Sequence, residues 1–289
     1  MDLTAFADAV GSAGPVTISG LGTRGGPVDG VHRVAAPSGI DWIQADEMIA
    51  SCGAGTPVDA LDAALREVGQ CVALPSGGTV GGALSVGLSD VRRLGYGPVR
   101  ETLLQAKYVS ATGEVVKAGG PTVKNVSGFD LCRLLVGSLG TLGFLGEVIV
   151  RTRPLPQVSQ WFTVAALDPS AVFQKLYRPV SVLWDGTRLW ALLEGHPADV
   201  QSQADCCGLV PADGAPVVPA GDRSGVRPSQ IAGLGGRFLA EVGVGVVHWH
   251  GQRPGAMSVA AQSVTKLGER LKAEFDPTGR LNPGVIVGR

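Results

Sequence analysis

The stretch PTVKNVSGFDLCRLLVGSLGTLGFLGEVIV at residues 121–150 decides the fold, because it joins a polar turn, a short helix, a glycine-dense loop and a buried strand. Leu131, Leu134 and Leu135 follow the i, i+3, i+4 spacing of one helix face. The glycines of residues 137–143 permit positive φ and let another group approach bare backbone. The stretch therefore predicts a loop that carries a large flat or phosphorylated ligand, although an ordinary tight turn also explains the glycines.

A second glycine loop, GLGTRGG at residues 20–26, directly follows a predicted strand at residues 15–19. The order of elements differs from a Rossmann unit, in which the glycine loop opens a helix, and the G-K-[ST] of a Walker loop is missing. Backbone amides in such a loop can hold a pyrophosphate, with the hydroxyl of Thr23 and the guanidinium of Arg24 as further donors. A plain hairpin with a solvated arginine explains this loop equally well when it is taken alone.

A third loop, PSGGTVGGALSVG at residues 75–87, combines glycines with hydroxyl side chains. Thr79 is the predicted N-cap of a short helix, so the amides of Gly81 and Gly82 are predicted to face an anion. Ser85 follows one helical turn later. Three such loops in α+β surroundings are more specific for a phosphorylated ligand than any one of them.

The composition indicates a compact globular protein, because 45% of the 289 residues are hydrophobic, 17% are charged and 43 are glycine. The formal net charge is −1 and the basic residues form no block, so nucleic acid is not an expected partner. No apolar run reaches the roughly 18 residues that suggest a membrane span. The N-terminus lacks the early positive charge of a secretory signal, so a cytoplasmic location is expected.

The five cysteines form no C-x-x-C pair, so the sequence gives no local support for zinc or iron–sulfur ligation, and no metal site is predicted. Cys206 and Cys207 are either a redox-active pair or two small apolar neighbours, and the second interpretation is favoured. Any iron–sulfur cluster that serves this protein is therefore expected on another polypeptide.

The character of the chain changes at Arg153-Pro154-Leu155-Pro156, which predicts an extended linker. Predicted strands at residues 161–165, 181–184 and 189–193 indicate a short antiparallel α+β domain. The predicted domains are residues 1–154, residues 155–255, and residues 256–289, a helix and tail that return to the first domain.

Two histidines lie near the end of the second domain. A predicted strand at residues 242–250 places His248 and His250 on the same face, because side chains alternate along a strand. They are the candidate catalytic residues, as an acid–base group, or they form half of a metal site. The alternative is a strand whose polar face holds two histidines without a chemical role.

Five motifs give the chain a family resemblance. They are T-V-G-G-A at 79–83, Y-G-P-V-R at 96–100, K-N-V-S-G-F-D-L at 124–131, V-G-S-L-G-T-L-G at 136–143 and F-D-P-T-G-R-L-N-P-G at 275–284. The chain resembles the FAD-binding oxidases and dehydrogenases of the vanillyl-alcohol-oxidase or PCMH type, and among them the FAD-binding subunits of bacterial glycolate oxidases. The resemblance implies an α+β fold, with a PCMH-type FAD-binding domain of two α+β subdomains and a short antiparallel α+β cap or substrate domain.

The resemblance also implies which residues contact the cofactor. The implied contacts with the pyrophosphate and ribityl chain are Gly20, Gly22, Thr23, Arg24, Gly25, Pro75, Gly78, Thr79, Gly81, Gly82 and Ser85. The implied contacts along the flavin and its linker are Gly140, Thr141, Gly143 and Phe144, and those at the adenine are the backbone near Glu147 and Val148. Asn125 and Asn282 are implied polar contacts near the ring, and for Asn282 the capping of a local turn is an equal alternative.

The glycine loop at residues 20–26 contains no histidine or cysteine, whereas some members of the resembling family attach the flavin through a histidine there. Non-covalent FAD is therefore expected. The implied function is FAD-dependent oxidation of a small 2-hydroxy acid such as glycolate, within a multi-subunit dehydrogenase. The implied partners are a sister flavin subunit and an iron–sulfur subunit. Through these partners the protein could also attach to the inner face of a membrane.

Two other functions are compatible with the sequence. The protein could be a non-catalytic FAD-binding scaffold for a catalytic sister subunit, because the domain at residues 155–255 is short and lacks the G-H-x-x-D-G-N motif of some relatives. It could also bind a sugar nucleotide, without a flavin, on a related fold. A flavin absorption spectrum distinguishes this last function from the other two.

Overall fold

The computed structural model describes residues 1–121, 130–253 and 260–285 of the chain. The elements up to residue 119 are α1 (Thr4–Val10), β1 (Val16–Ser19), β2 (His32–Ala35), β3 (Ile40–Gln44), β4 (Ile49–Gly53), α2 (Val58–Glu67), β5 (Gln70–Val72), α3 (Val80–Val86), α4 (Arg93–Tyr96), β6 (Leu103–Val109) and β7 (Val115–Gly119). The later elements are α5 (Leu131–Leu135), β8 (Phe144–Pro154), β9 (Val158–Ala165), α6 (Pro169–Phe173), β10 (Ser181–Trp184), β11 (Arg188–Gly195), α7 (Pro197–Cys207), β12 (Val210–Pro211), β13 (Arg223–Gly225), β14 (Phe238–Glu241), β15 (Val246–Trp249) and α8 (Ala260–Phe275).

The chain forms two compact units. Unit 1 comprises Met1–Ser89, Pro98–Leu155 and the C-terminal segment that contains α8, and unit 2 comprises Asp90–Gly97 and the residues from Pro156 up to that segment. Residues 90–97 were expected in the first domain but belong to unit 2. The reason is that Gly95 N donates to Val180 O at 3.0 Å and Leu94 packs against the hydrophobic core of unit 2.

Unit 1 is built on a six-stranded antiparallel sheet with the order β3-β4-β8-β6-β7, in which β5 also pairs with β8. The buried strand predicted at the end of residues 121–150 is confirmed as β8, and its first seven residues are all buried. Val148 and Val150 pack in one core with Leu61 and Leu65 of α2. The strands β1 and β2 form a separate parallel pair, and β1 leads into the glycine loop at residues 20–26.

Unit 2 is a seven-stranded sheet with the order β12-β9-β11-β10-β14-β15-β13, antiparallel throughout. Its core includes Trp184, Phe238 and Trp249, whose successive ring centroids lie 5.6 Å and 5.9 Å apart. Both units combine helices with antiparallel sheets, so the predicted α+β class is confirmed. No helix among the described residues has the length and apolar character that a membrane crossing requires.

The strand predicted at residues 242–250 is confirmed only for Val246–Trp249, because residues 242–245 form a turn. The structure has two strands here, β14 and β15, joined by a turn in which Gly243 and Gly245 adopt φ of 85° and 82°. Residues with a side chain rarely adopt a positive φ, whereas glycine does so easily. These two glycines therefore end one strand and reverse the chain into the next. The turn brings Glu241 of β14 opposite Val246 of β15.

Candidate functional site

The three glycine loops line one cavity in unit 1, with a volume of about 300 Å³. The predicted cofactor-contacting residues that line it are Gly20, Gly22, Thr23, Arg24, Gly25, Thr79, Gly81, Gly82, Ser85, Gly140, Phe144 and Asn282. Pro75, Gly78, Thr141, Gly143, Glu147 and Val148 are not among the lining residues, and Asn125 lies outside the described residues. Lining residues that the sequence did not predict include Ala36, Ala54, Gly55, Leu139 and Val285.

The cavity walls have a simple chemical character. Residues 20–26 line the cavity without interruption, and Arg24 is the one charged side chain among the lining residues. The remaining lining residues are mostly apolar, such as Val86, Phe144 and Leu145, or glycine, and the polar side chains among them are uncharged. A wall without carboxylates favours an anion such as a pyrophosphate, and the apolar walls suit a flat ring system.

Close packing of the loops explains why they need glycine. A Cβ on Gly20 would approach Thr79 Oγ1 to 3.0 Å, and a Cβ on Gly81 would approach Ala54 Cβ to 2.9 Å. A side chain at either position would push one wall of the cavity away from the next. The residue types present therefore fit a ligand that lies directly on the main chain.

The start of α3 corrects one prediction. Thr79 is the N-cap as predicted, because its Oγ1 accepts a hydrogen bond from Gly82 N at 3.0 Å. Gly81 N donates to Ala54 O at 2.7 Å. Both amides are therefore satisfied inside the protein, and the prediction that they face an anion is wrong. Gly81 and Gly82 contribute close backbone surface to the cavity, and residues 20–26 form its other glycine-rich wall.

The guanidinium of Arg24 is also engaged by the protein itself. It donates to the carbonyl oxygens of Pro75, Ser76 and Gly77 at 2.9, 2.7 and 2.6 Å. Pro75 and Gly78, which the sequence predicted as cofactor contacts, therefore lie beside Arg24 rather than on the cavity wall.

Asn282 links two walls of the cavity. Its Oδ1 accepts hydrogen bonds from Thr17 Oγ1 at 2.8 Å and from Ile18 N at 3.1 Å, and its Nδ2 donates to Leu139 O at 2.7 Å. Its backbone has a φ of 45°, in the left-handed region that asparagine tolerates in turns. The side chain lines the cavity, and its partners lie in β1 and in the loop at residues 137–143, so it links distant segments rather than capping a local turn.

The segment around Asn282 is anchored by Lys272 and Arg280. Lys272 Nζ donates to Thr141 O at 3.0 Å and to Leu281 O at 2.6 Å, and it pairs with Asp276. The guanidinium of Arg280 is also fully engaged with backbone. Its acceptors are the carbonyl oxygens of Val10, Gly11, Ala13, Gly14 and Ala111. Thr141, which was predicted beside the flavin, is therefore not among the lining residues, and its carbonyl oxygen accepts a hydrogen bond from Lys272.

Substituting Asp276 by asparagine is expected to lower the free energy of unfolding by about 2–4 kcal/mol at neutral pH. Burial raises the pKa of Asp276, but hydrogen bonds from Lys272 and from the amides of Leu281 and Arg280 outweigh burial and hold that pKa below its usual value. With a lowered pKa, the carboxylate stabilises the fold above the ordinary aspartate pKa, and this contribution is lost as the pH falls through the lowered value.

Urea unfolding of the wild type and D276N at neutral and acidic pH measures this effect. The difference between the two proteins should be largest at neutral pH and should shrink as the pH falls. Asp29→Asn is the matched control, because Asp29 forms an exposed pair with Arg33 and should change stability little. An equal loss of stability at both pH values would contradict the assignment.

Glu147 and Val148 lie in the sheet rather than at a ligand wall. The carboxylate of Glu147 is buried and pairs with Lys107 Nζ at 2.9 Å and with the amino group of Met1 at 2.6 Å. Val148 is fully buried opposite Cys52 and Ala106. The cavity described above therefore gives no support to the predicted adenine contacts.

The two candidate catalytic histidines, both in unit 2, lie in different environments. His248 Nε2 lies 2.8 Å from Glu241 Oε1, and the side chains of His248 and Glu241 are 12% and 2% exposed. His250 is exposed, beyond the end of β15. An ionised carboxylate only accepts hydrogen bonds, so this bond to an ionised Glu241 requires a proton on Nε2. The sequence alone did not reveal the pair with Glu241.

Two buried side-chain oxygens of unit 2 have no partner among the described residues, namely Glu241 Oε2 and Ser181 Oγ. The strand β10, which contains Ser181, pairs with β14, which contains Glu241. The described part of the chain contains no group of three or more metal-ligating side chains. This arrangement is a buried histidine–carboxylate pair with hydrogen-bonding capacity left over.

Comparisons with known proteins extend these observations. The profile of a family described as an FAD binding domain matches residues 11–119. The glycolate oxidase subunit GlcE of Escherichia coli (strain K12) is 32% identical over 69% of this chain and 61% of its own length. A D-lactate dehydrogenase of Archaeoglobus fulgidus is 38% identical over 39% of this chain and 26% of its own length. The chain thus spans less than two thirds of the length of these curated relatives.

A solved structure supports the fold. The chain is similar to an alkyldihydroxyacetonephosphate synthase with a TM-score of 0.53 and 17% sequence identity, over 67% of this chain and 45% of the other. At that identity the similarity concerns the fold alone. The glycine-lined cavity, the matching profile and the relatives therefore all point to the same cofactor class.

Proposed function

Since the chain belongs to the PCMH-type family of FAD-binding proteins, we propose that its cavity holds FAD without a covalent bond and that the protein oxidises a small 2-hydroxy acid such as glycolate or D-lactate. The observation that carries the proposal is the convergence of three glycine loops on one cavity free of carboxylates. Relatives named as glycolate oxidase subunits and D-lactate dehydrogenases support the substrate class.

The residues of unit 1 would hold the cofactor in the following way. The backbone of residues 20–26 would face the pyrophosphate, and Gly81, Gly82 and Gly140 would allow the ligand to approach the main chain. The apolar walls would exclude water from the ring. FAD, when bound, would supply the two-electron acceptor that no side chain provides.

We assign the proton chemistry to His248. Glu241 would fix the imidazole in the tautomer whose Nδ1 accepts a proton, and it would stabilise the imidazolium that results. The proton would come from the substrate hydroxyl. The structure offers His250 no comparable partner among the described residues, so the proposal rests on His248 alone.

The proposed partners are a sister flavin subunit and an iron–sulfur subunit that accepts the electrons. Relatives named as the GlcE and GlcD subunits of glycolate oxidase support an assembly of several chains. The alternative is a non-catalytic FAD-binding scaffold. The observation in its favour is that no histidine or carboxylate is among the residues that line the cavity.

Anaerobic addition of glycolate or D-lactate to the purified yellow protein distinguishes the two functions. Bleaching of the flavin absorption band at about 450 nm is expected for the enzyme. A protein that binds FAD and stays yellow with both acids would act as the scaffold. A protein that binds no flavin at all would contradict both.

Acid precipitation of the holoprotein is expected to release all of its flavin into the supernatant as intact FAD. The physical reason is that the residues lining the cavity include no histidine, cysteine or tyrosine that could bond to the flavin. Absorption spectra of pellet and supernatant measure the outcome. A pellet that stays yellow after denaturation would show a covalent link.

A further inference from the structure

We propose that Arg24 is a positioning residue that fastens the loop at residues 20–26 to the loop at residues 75–78 and thereby slows the release of FAD. The inference rests on the proposed binding of FAD in this cavity. It concerns how long the cofactor stays bound, and it gives Arg24 a role that differs from direct contact with the pyrophosphate.

The first argument is the geometry of the guanidinium. Nη1 donates to Gly77 O at 2.6 Å, and Nη2 donates to Ser76 O at 2.7 Å and Pro75 O at 2.9 Å. Three successive carbonyl oxygens thus accept hydrogen bonds from two nitrogens of one planar guanidinium. This spread of acceptors suits the fixed fork of arginine donors better than the single ammonium nitrogen of lysine. These bonds are charge-assisted and therefore stronger than bonds between neutral groups.

The second argument is that the two loops interlock. A Cβ on Gly78 would collide with Arg24 Nη1 and with Thr23 Oγ1, so Arg24 and Thr23 fill the space that a side chain would need. Gly20 likewise leaves room for Thr79. The contact surface between the loops is therefore shaped around Arg24.

The third argument is that only one of the two loops is anchored independently. Gly77 N donates to Asp59 Oδ1 at 3.0 Å and Gly78 O accepts from Val58 N at 3.0 Å, so the loop at residues 75–78 is held by the start of α2. Among the described residues, the hydrogen bonds that link residues 20–26 to another segment are those of Arg24. Arg24 therefore connects residues 20–26, the wall that would face the pyrophosphate, to the loop that α2 holds in place.

The fourth argument concerns charge. The partners of Arg24 are neutral carbonyl groups, and no carboxylate lines the cavity, so the positive charge of Arg24 is not cancelled there. It continues to attract an anion while the guanidinium is held in place. A lysine would keep this attraction and lose most of the link between the loops, whereas a methionine would lose both.

The test compares Arg24→Met and Arg24→Lys with the wild type, and Arg66→Met serves as the matched control because Arg66 is an exposed arginine of α2 paired with Asp62. The first measurement is the rate at which FAD leaves the holoprotein, followed by the recovery of flavin fluorescence. We expect R24M to release FAD about 10–100-fold faster, R24K to lie between R24M and the wild type, and R66M to match the wild type. Association of FAD should be slower for R24M only.

The second measurement uses the protein without cofactor. Hydrogen exchange of the peptide that contains residues 20–26 should be faster in R24M, because the loop at residues 75–78 keeps its own bonds to α2, while the thermal unfolding midpoint stays close to that of R66M. If R24M releases FAD and exchanges hydrogen at the same rates as the wild type, the proposal is overturned, while the proposed binding of FAD is unaffected. Faster exchange throughout the whole of R24M would also overturn it, as a general loss of stability. Failure of the wild type to bind FAD would instead contradict the proposed function, and the exchange result would still test the link.

Discussion

Replacing Ser85 with phenylalanine is expected to weaken FAD binding by about 100-fold or more, which corresponds to about 2.8 kcal/mol. Ser85 lies on α3 and its half-buried side chain lines the cavity. A phenyl ring at this position would occupy space in a cavity of about 300 Å³. This helix has little room to move back, because Gly81 N is hydrogen-bonded to Ala54 O at 2.7 Å and the space there would not admit even one added Cβ.

The matched control for this variant is Leu88→Phe. Leu88 lies three residues further along the chain, is 52% exposed and is not among the lining residues. Titration of the apoprotein with FAD, followed by quenching of flavin fluorescence, gives the dissociation constant of each variant. L88F should bind like the wild type. If S85F also binds FAD with wild-type affinity, the cofactor does not lie in this cavity.

The sequence predicted the glycine loops and the elements around them because these depend on local chemistry. Thr79 could be identified as an N-cap from its neighbours alone, and the apolar run at the end of residues 121–150 could be identified as a buried strand. The cavity wall at Ala54 and Gly55 could not be predicted in this way. Those residues approach Gly81 through a hydrogen bond between distant parts of the chain, and no local pattern marks it.

Polar groups were the other source of error, because their partners are set by tertiary structure. The amide of Gly81 and the guanidinium of Arg24 both looked like free donors for an anion in the sequence. In the structure each donates to a backbone carbonyl, of Ala54 and of residues 75–77 respectively. A buried or half-buried donor finds an acceptor within the protein wherever one is available, and sequence spacing does not identify it.

The assignment of His248 is of the same kind, since the sequence supplied the histidine and the structure supplied Glu241. His248→Gln is expected to slow reduction of the bound flavin by glycolate or D-lactate by about 10²–10⁴-fold, the usual contribution of an acid–base group. Affinity for FAD should stay unchanged, because His248 is not among the residues that line the cavity of unit 1. Anaerobic stopped-flow spectroscopy at saturating substrate measures the rate.

Three further variants decide whether the effect belongs to the pair. Glu241→Gln keeps the size of the side chain but removes the charge that stabilises the imidazolium, so a loss of about 10²-fold or more is expected. His196→Gln is the control, because His196 is an exposed histidine of unit 2 at the start of α7 and its replacement should leave the rate unchanged.

His250→Gln tests the other candidate. A loss in H250Q with a normal rate in H248Q would move the proton chemistry to His250. Normal rates in H248Q, E241Q and H250Q would show that none of the three residues is the base. Only the Glu241–His248 pair combines burial with a carboxylate whose second oxygen has no partner among the described residues, so we expect the loss to follow that pair.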